Sequence, residues 1–271
     1  MAHPNRLQNA HVLVFGGTSG IGFAIASLVL SQGATVTISG SAQPKVDSKV
    51  ALLQSYYPTL PASHVRGYAC DLRDKANLES NLTSVFDKAT SSGTHKIDHI
   101  AFTAGDLADV PKIPEVTADN VMVGQTVRYV ACLLIAKLLH GGKYMPASPS
   151  SSFTMTGGVN THKPMPGWSV QASWGGSIVA MARGLAVDLK PIRVNVVEPG
   201  AIHTELLQVF VEQVPGILDA FKTQTLTGTV GEPSDCAEAY AWFMKDRFAN
   251  GTVAPTNGGQ LLAPYPMPGF S

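Results

Sequence analysis

Short apolar runs rich in β-branched residues recur along the chain and alternate with longer stretches whose apolar residues return every three or four positions. Val12–Phe15, Thr35–Ser39, Ile97–Thr103, Ser152–Thr156 and Arg193–Val197 read as buried strands. Between them, Gly22–Ser31, Lys75–Ala89, Ala118–Leu139 and Ser169–Leu189 carry helical spacing. Strands that are apolar on both faces, separated by helices, predict an α/β fold: one doubly wound parallel sheet with helices on both sides. Right-handed crossovers then bring every loop that follows a strand to one edge of the sheet. The stretch 203–233 departs from the alternation. Leu206, Leu207, Phe210 and Val211 are helically spaced there, and Thr223–Gly231 is loop-like. Its place after a strand on the ligand edge predicts a substrate lid; an ordinary surface helical hairpin is the other reading.

Composition narrows the function more than the fold. With 271 residues, 45% hydrophobic and 14% charged, the chain can bury a large core. No Pro-, Gly- or Ser-rich linker divides it, so residues 1–271 are read as a single domain. The formal net charge is zero, which leaves no field to attract nucleic acid or an anionic membrane. Cys70, Cys132 and Cys236 form no close pair, which argues against disulfides or a metal site and fits a reducing, cytoplasmic setting. The polar N-terminus does not read as a signal peptide, and Arg128 and Lys137 interrupt the longest apolar stretch, so no membrane span is expected.

Phe15-Gly16-Gly17-Thr18-Ser19-Gly20-Ile21-Gly22 follows the first strand and runs straight into a helix. Gly16 permits a tight turn, Gly20 close approach of backbone to a pyrophosphate, and Gly22 close packing of helix on strand. The helix N-terminus adds free N–H donors and a positive dipole end. Such a turn directly after strand one points to a dinucleotide and to a Rossmann-type sheet.

The spacing of Gly16, Gly20 and Gly22 resembles the turn of the short-chain dehydrogenase/reductase family, with Phe15 in place of the usual Thr. Four further segments resemble that family in the same order. They are Cys70-Asp71-Leu72, where an Asp meets adenine; Thr103-Ala104-Gly105; the run Arg193 to Thr204; and Asn257-Gly258-Gly259. The resemblance spans about residues 10 to 262. It implies a nicotinamide dinucleotide held by Gly16, Thr18, Ser19, Gly20, Ile21, Ser39, Gly40, Ser41, Asp71, Leu72, Ala104, Gly105, Arg128, Thr156, Pro199, Gly200, Ile202 and Thr204. The end of strand two, Ser39-Gly40-Ser41-Ala42-Gln43-Pro44-Lys45, has no carboxylate before Asp47 to take a ribose hydroxyl. Two hydroxyls and Lys45 suit a 2′-phosphate, so NADP(H) is expected; the other reading is a plain turn with weak selectivity.

The family's usual chemistry uses a Tyr proton donor, a Lys four residues on, a Ser and an Asn. In the register set by Arg183–Leu189, the Tyr position is Val170 and the Lys position Trp174. The Ser position is Gly157, next to Thr156, and Thr126 stands near the Asn position. The usual proton transfer therefore cannot operate. Lys163-Pro164-Met165-Pro166-Gly167-Trp168 resembles a segment of fungal secondary-metabolism members of the family. Some of these reduce a C=N bond in indole-alkaloid pathways and then direct a Diels–Alder closure. They carry an Asp where this chain has Met165.

An iminium carbon is already electrophilic, so hydride transfer to it needs no donor to a developing alkoxide. Positioning of the reactants then supplies much of the rate. The expected substrate is a bulky apolar metabolite carrying an imine, iminium or activated carbonyl. The alternative is a non-redox cyclase, isomerase or binding protein that holds the nucleotide structurally. Arg128 is the catalytic candidate, or else a satisfied charge on a half-exposed helix. Trp168, Val170 and Trp174 are the substrate-pocket candidates, with packing as their other role. His162 and His203 are titratable groups near the strand ends, although loop histidines are commonly surface residues. Glu198 is expected to face away from the cofactor. The resemblance further implies a homodimer or homotetramer through Ala118–Leu139 and Ser169–Leu189, with the tail Leu261–Pro268 over a neighbour.

Overall fold

The computed structural model describes residues 2–105 and 110–263. Seven strands form one parallel sheet in the order β3-β2-β1-β4-β5-β6-β7. They are β1 His11–Phe15, β2 Thr35–Gly40, β3 Val65–Ala69, β4 His99–Phe102, β5 Ser152–Thr156, β6 Arg193–Pro199 and β7 Val253–Thr256. The helices among the described residues are α1 Gly20–Ser31, α2 Gln43–Tyr56, α3 Leu78–Thr90, α4 Ala131–Leu139, α5 Ser169–Asp188, α6 Glu205–Gln213, α7 Ile217–Thr223 and α8 Pro233–Lys245.

Strand β1 shows why the central strands must be apolar throughout. Leu13 and Phe15 enter the core beneath α3, α4 and α5, while Val12 and Val14 enter the core beneath α1 and α8. Side chains alternate across a strand, so two covered faces require two apolar sets. The strand order reverses between β1 and β4, which opens a crevice at the C-terminal ends of the strands.

Periodicity did not predict strands β3 and β7 or helices α2 and α8. Strand β3 reads VRGYA with only Val65 fully buried, and β7 contains Pro255, tolerated because β7 is an edge strand. Helix α2 follows the serine-rich end of β2. Helix α8 begins at Pro233, and the carboxylate of Asp235 accepts from the Glu232 backbone N–H at 2.9 Å.

The predicted helix Ala118–Leu139 is corrected. Turns occupy residues 118–124, a π-helical turn spans Thr126–Val130, and only Ala131–Leu139 is α-helical. Gly124, at φ +85°, breaks the regular backbone there. Of the tail Leu261–Pro268, Pro264–Pro268 lie outside the described residues.

Arg193, at the start of β6, is 2% exposed. Its guanidinium donates to the carbonyls of Pro149, Phe243, Ala249 and Met244. Phe243 and Met244 lie in the last turn of α8, where unsatisfied carbonyls favour a cation. One side chain thus ties the sheet to α8 and to the loops on either side. No helix among the described residues is long and apolar enough to cross a membrane.

Candidate functional site

The phosphate turn is built by backbone. The N–H groups of Gly16 and Gly17 both donate to the Ser39 carbonyl at 3.0 Å, folding the turn over the end of β2. Thr103 Oγ1 donates to the Phe15 carbonyl at 2.9 Å and fixes the turn to β4. A Cβ on Gly22 would lie 2.3 Å from the Gly16 carbonyl oxygen and 2.4 Å from Thr103 Oγ1, so helix and strand meet where no side chain fits. Ser19 caps α1 without a side-chain hydrogen bond, which leaves the first N–H groups of the helix for an anion. One carboxylate already exploits them. Gly20 N donates to Glu205 Oε2 at 2.9 Å.

A cleft of about 620 Å³ extends from this turn. It brings together Gly16, Thr18, Ser19, Gly20, Ile21, Ser39, Gly40, Ser41, Asp71, Leu72, Ala104, Gly105, Arg128 and Thr204. These are the residues expected to hold the dinucleotide at its phosphate, adenosine and nicotinamide ends. The Ser39 hydroxyl is buried and has no protein partner, an orphan that a ligand oxygen would satisfy. Lys45 lines the same end, as does Arg73, which sequence reading missed. Arg73 reaches Asp71 at 3.4 Å in an exposed pair. The only signal for it was a cation two residues beyond the Asp. The site therefore fits a dinucleotide on its own geometry.

Arg128 projects from the π-helical turn into the cleft and closes on Gly105, where a Cβ would stand 2.3 Å from a guanidinium nitrogen. Single π turns often mark functional positions. Thr204 lines the cleft while its hydroxyl accepts from Leu207 N at 3.3 Å, capping α6. Thr156, Pro199, Gly200 and Ile202 do not line the cleft. The Thr156 hydroxyl donates to the Phe102 carbonyl and accepts from Tyr240 of α8, so it is committed to the sheet and to α8. Gly200 N donates to Thr256 at 3.0 Å, and Ile202 bridges Gly231.

The positions of the usual acid–base set hold no acid. Val170 is buried, while Trp168 and Trp174 are partly exposed near the start of α5. None of the three lines the dinucleotide cleft. At Gly175 a Cβ would be 2.2 Å from Thr161 Oγ1, so α5 seats directly on the turn Val159–Thr161. Gly157 donates its N–H to Val197 at 2.8 Å. The space a side chain would take there is filled by Glu198, whose Cγ would lie 3.0 Å from a Cβ at 157. The Glu198 side chain is 2% exposed; Oε2 pairs with His162 Nε2 at 2.9 Å, and buried Oε1 has no hydrogen-bond partner. Periodicity could not find this pair, because its members are 36 residues apart. His203 instead forms an exposed pair with Glu232 at 3.5 Å. Burial and the Asp71 charge push the Cys70 thiol up to about 12, so this cleft-lining cysteine stays protonated and is no nucleophile.

A seven-stranded parallel sheet of this order, with a glycine-rich turn over its switch point, defines a dinucleotide-binding protein of the Rossmann class. The pattern of the SDR-like Rossmann domain matches residues 3–263, and the chain belongs to the short-chain dehydrogenase/reductase family. It is 41% identical over 257 residues to the short-chain dehydrogenase/reductase malC of Malbranchea aurantiaca, covering 94% of this chain and 96% of that one. It is 36% identical over 261 residues to ucsE of an Acremonium species, covering 96% and 98%. The solved structure of the MalC reductase/Diels–Alderase superimposes with a TM-score of 0.89, covering 96% of this chain and all of that one. The chain is accordingly an oxidoreductase by family, and the fold implies a nicotinamide cofactor.

Proposed function

We propose that this chain is an NADP(H)-dependent reductase of a C=N bond, or of an activated carbonyl, in a bulky apolar metabolite. One observation carries the reading: a dinucleotide cleft runs from the Gly16 turn to Arg128 and Thr204, in a chain that holds Val170, Trp174 and Gly157 where the proton-donating set belongs. When bound, the reduced nicotinamide supplies hydride. The chain's own residues hold and orient the reactants. The α1 N-terminus receives the pyrophosphate, and Asp71 and Leu72 flank the adenine end. Arg128, held against Gly105, supplies a fixed cation at the far end of the cleft. Trp168 and Trp174, partly exposed near the start of α5 beside buried Val170, offer an aromatic edge to a polycyclic substrate, and aromatic faces favour a cationic carbon–nitrogen bond. Helices α6 and α7 bury only Leu207 between them, which suits a lid that opens and closes over this edge.

Preference for the 2′-phosphate is supported by Ser39, Ser41, Lys45 and Arg73 at the end of β2 and by the lack of a carboxylate between Ser39 and Lys45. Replacing Lys45 and Arg73 together by Ala is expected to weaken NADPH binding about 5- to 30-fold, at roughly 1–2 kcal/mol for the lost charge-assisted contacts, and to leave NADH binding within about threefold. Titration of both nucleotides against each variant by fluorescence checks this. Equal losses for the two would remove the assignment of the phosphate to these cations.

A second reading is favoured by the likeness to MalC, a reductase/Diels–Alderase. In it the chain directs a cyclisation and keeps the nucleotide as structure. Absorbance of NADPH in the presence of protein and N-methyl dihydroisoquinolinium separates the two. Oxidation that needs both supports the reductase; tight nucleotide binding without oxidation supports the cyclase.

A further inference from the structure

Buried Glu198 and half-exposed His162 form a polar pair that does not line the dinucleotide cleft. Glu198 lies on β6, on the same face as Val196, and packs against Gly157 at the end of β5. That is the position at which the family resemblance places a serine facing the reacting bond. A buried carboxylate is costly unless paired. Here Oε2 is paired with His162 Nε2 at 2.9 Å while Oε1 is orphaned. His162 has a side chain 49% exposed, so one edge of the imidazole meets solvent and the other a fixed anion. The loop that carries it is anchored: Lys163 donates to the Gln260 and Ala263 carbonyls at 2.9 Å each. A buried carboxylate behind a half-exposed imidazole fixes the ring's orientation and tautomer.

We propose that His162, oriented by Glu198, is the proton donor of this enzyme and that it protonates a neutral imine nitrogen presented to its solvent-exposed edge, next to the serine position that Glu198 fills. The balance of the step is simple. An N–H bond of the imidazolium breaks, the imine lone pair takes the proton, and an iminium and a neutral imidazole result. Hydride then adds to carbon, and the C=N electron pair becomes the nitrogen lone pair of the amine. Water reprotonates the exposed edge of His162. Glu198 is a positioning residue: it touches the histidine and not the reacting atoms. The inference extends the C=N reading, because it lets the protein act on imines that are not already cationic.

The test reads protonation apart from turnover. Dihydroisoquinoline absorbs at longer wavelength as the iminium than as the free imine. At a fixed pH on the alkaline side of its own titration, its ultraviolet spectrum is recorded bound to the protein, with NADP⁺ and without any nucleotide. The wild type is expected to show the iminium band and His162→Asn the imine band. Glu198→Gln is expected to lose most of the iminium band, with Glu198→Asp restoring part of it. A free-imine band in the wild type, or an iminium band that survives in His162→Asn, would overturn the proposal. In turnover, the ratio of kcat/KM for dihydroisoquinoline to that for its permanently cationic N-methyl form should fall about 10²-fold in His162→Asn, the size of a typical acid contribution. A structural defect would lower both substrates together and leave that ratio unmoved, which also counts against the proposal. If the wild type shows the iminium band but oxidises no NADPH, the reductase reading fails and the proton donor stands.

Discussion

His99 shows how much a single side chain in the sheet depends on its protonation state. It is 3% exposed on β4, its Nδ1 is 2.9 Å from Ser152 Oγ on β5, and burial, with Arg193 and Arg247 nearby, holds its pKa down to about 3. The folded protein therefore keeps the ring neutral, whereas the unfolded chain protonates it near 6.5. Its contribution is fully present above about pH 6.5 and is lost as pH falls toward about 3, at up to about 1.4 kcal/mol per pH unit. Urea unfolding at pH 7 and at pH 5 should show this loss, and His99→Gln should flatten it; an unchanged slope would assign acid sensitivity to other groups. Legibility at this scale was uneven. Glycines 16, 20 and 22 were readable because a backbone need dictates the residue type. Arg73 and the partnership of His162 with Glu198 were not, since tertiary proximity leaves no periodic trace. Glu198 was expected to serve structure alone, and the structure seats it in the space of an absent side chain at 157.

Among elements, the strands and helices flanking the nucleotide turn were legible because both faces of the sheet demand apolar residues. Strands β3 and β7 escaped because edge positions relax that demand. The long helix expected over 118–139 misled because its apolar spacing continues through Gly124, while the backbone there turns to positive φ. The consequence falls on Arg128, which emerges from a π turn rather than from a regular helix. Helix α6 has a second tie to the site through Glu205, which holds Gly20 N at 2.9 Å from the first turn of α6. A pyrophosphate and this carboxylate compete for the same N–H. Glu205→Ala should therefore tighten NADPH binding about 2- to 5-fold, matching roughly 0.3–1 kcal/mol for an anion at a helix N-terminus. Calorimetric titration reads this directly; weaker binding in the variant would mean that Glu205 helps to hold the nucleotide.

For the whole molecule, Arg193 carries a disproportionate part of the architecture. Its guanidinium joins the sheet to the end of α8 through the buried carbonyls of Phe243 and Met244. Arg193→Met keeps much of the volume but leaves these acceptors unpaired, and a loss of about 3–5 kcal/mol is expected. Chemical denaturation checks the figure, and a loss below about 1 kcal/mol would show that water replaces the guanidinium. The sequence motif announced this arginine only as a neighbour of the cofactor run, not as a clamp. Gly157 and Glu198 form a second tie, between the ends of β5 and β6. A serine restored at 157 would bring its Cβ within 3.0 Å of Glu198 Cγ and 3.1 Å of Val196 Cγ1. Removing the carboxylate first strips His162 of its partner. Residues in contact couple energetically, so changing 157 and 198 together is expected to differ from the sum of the two single changes, which a double-mutant cycle in denaturant reads.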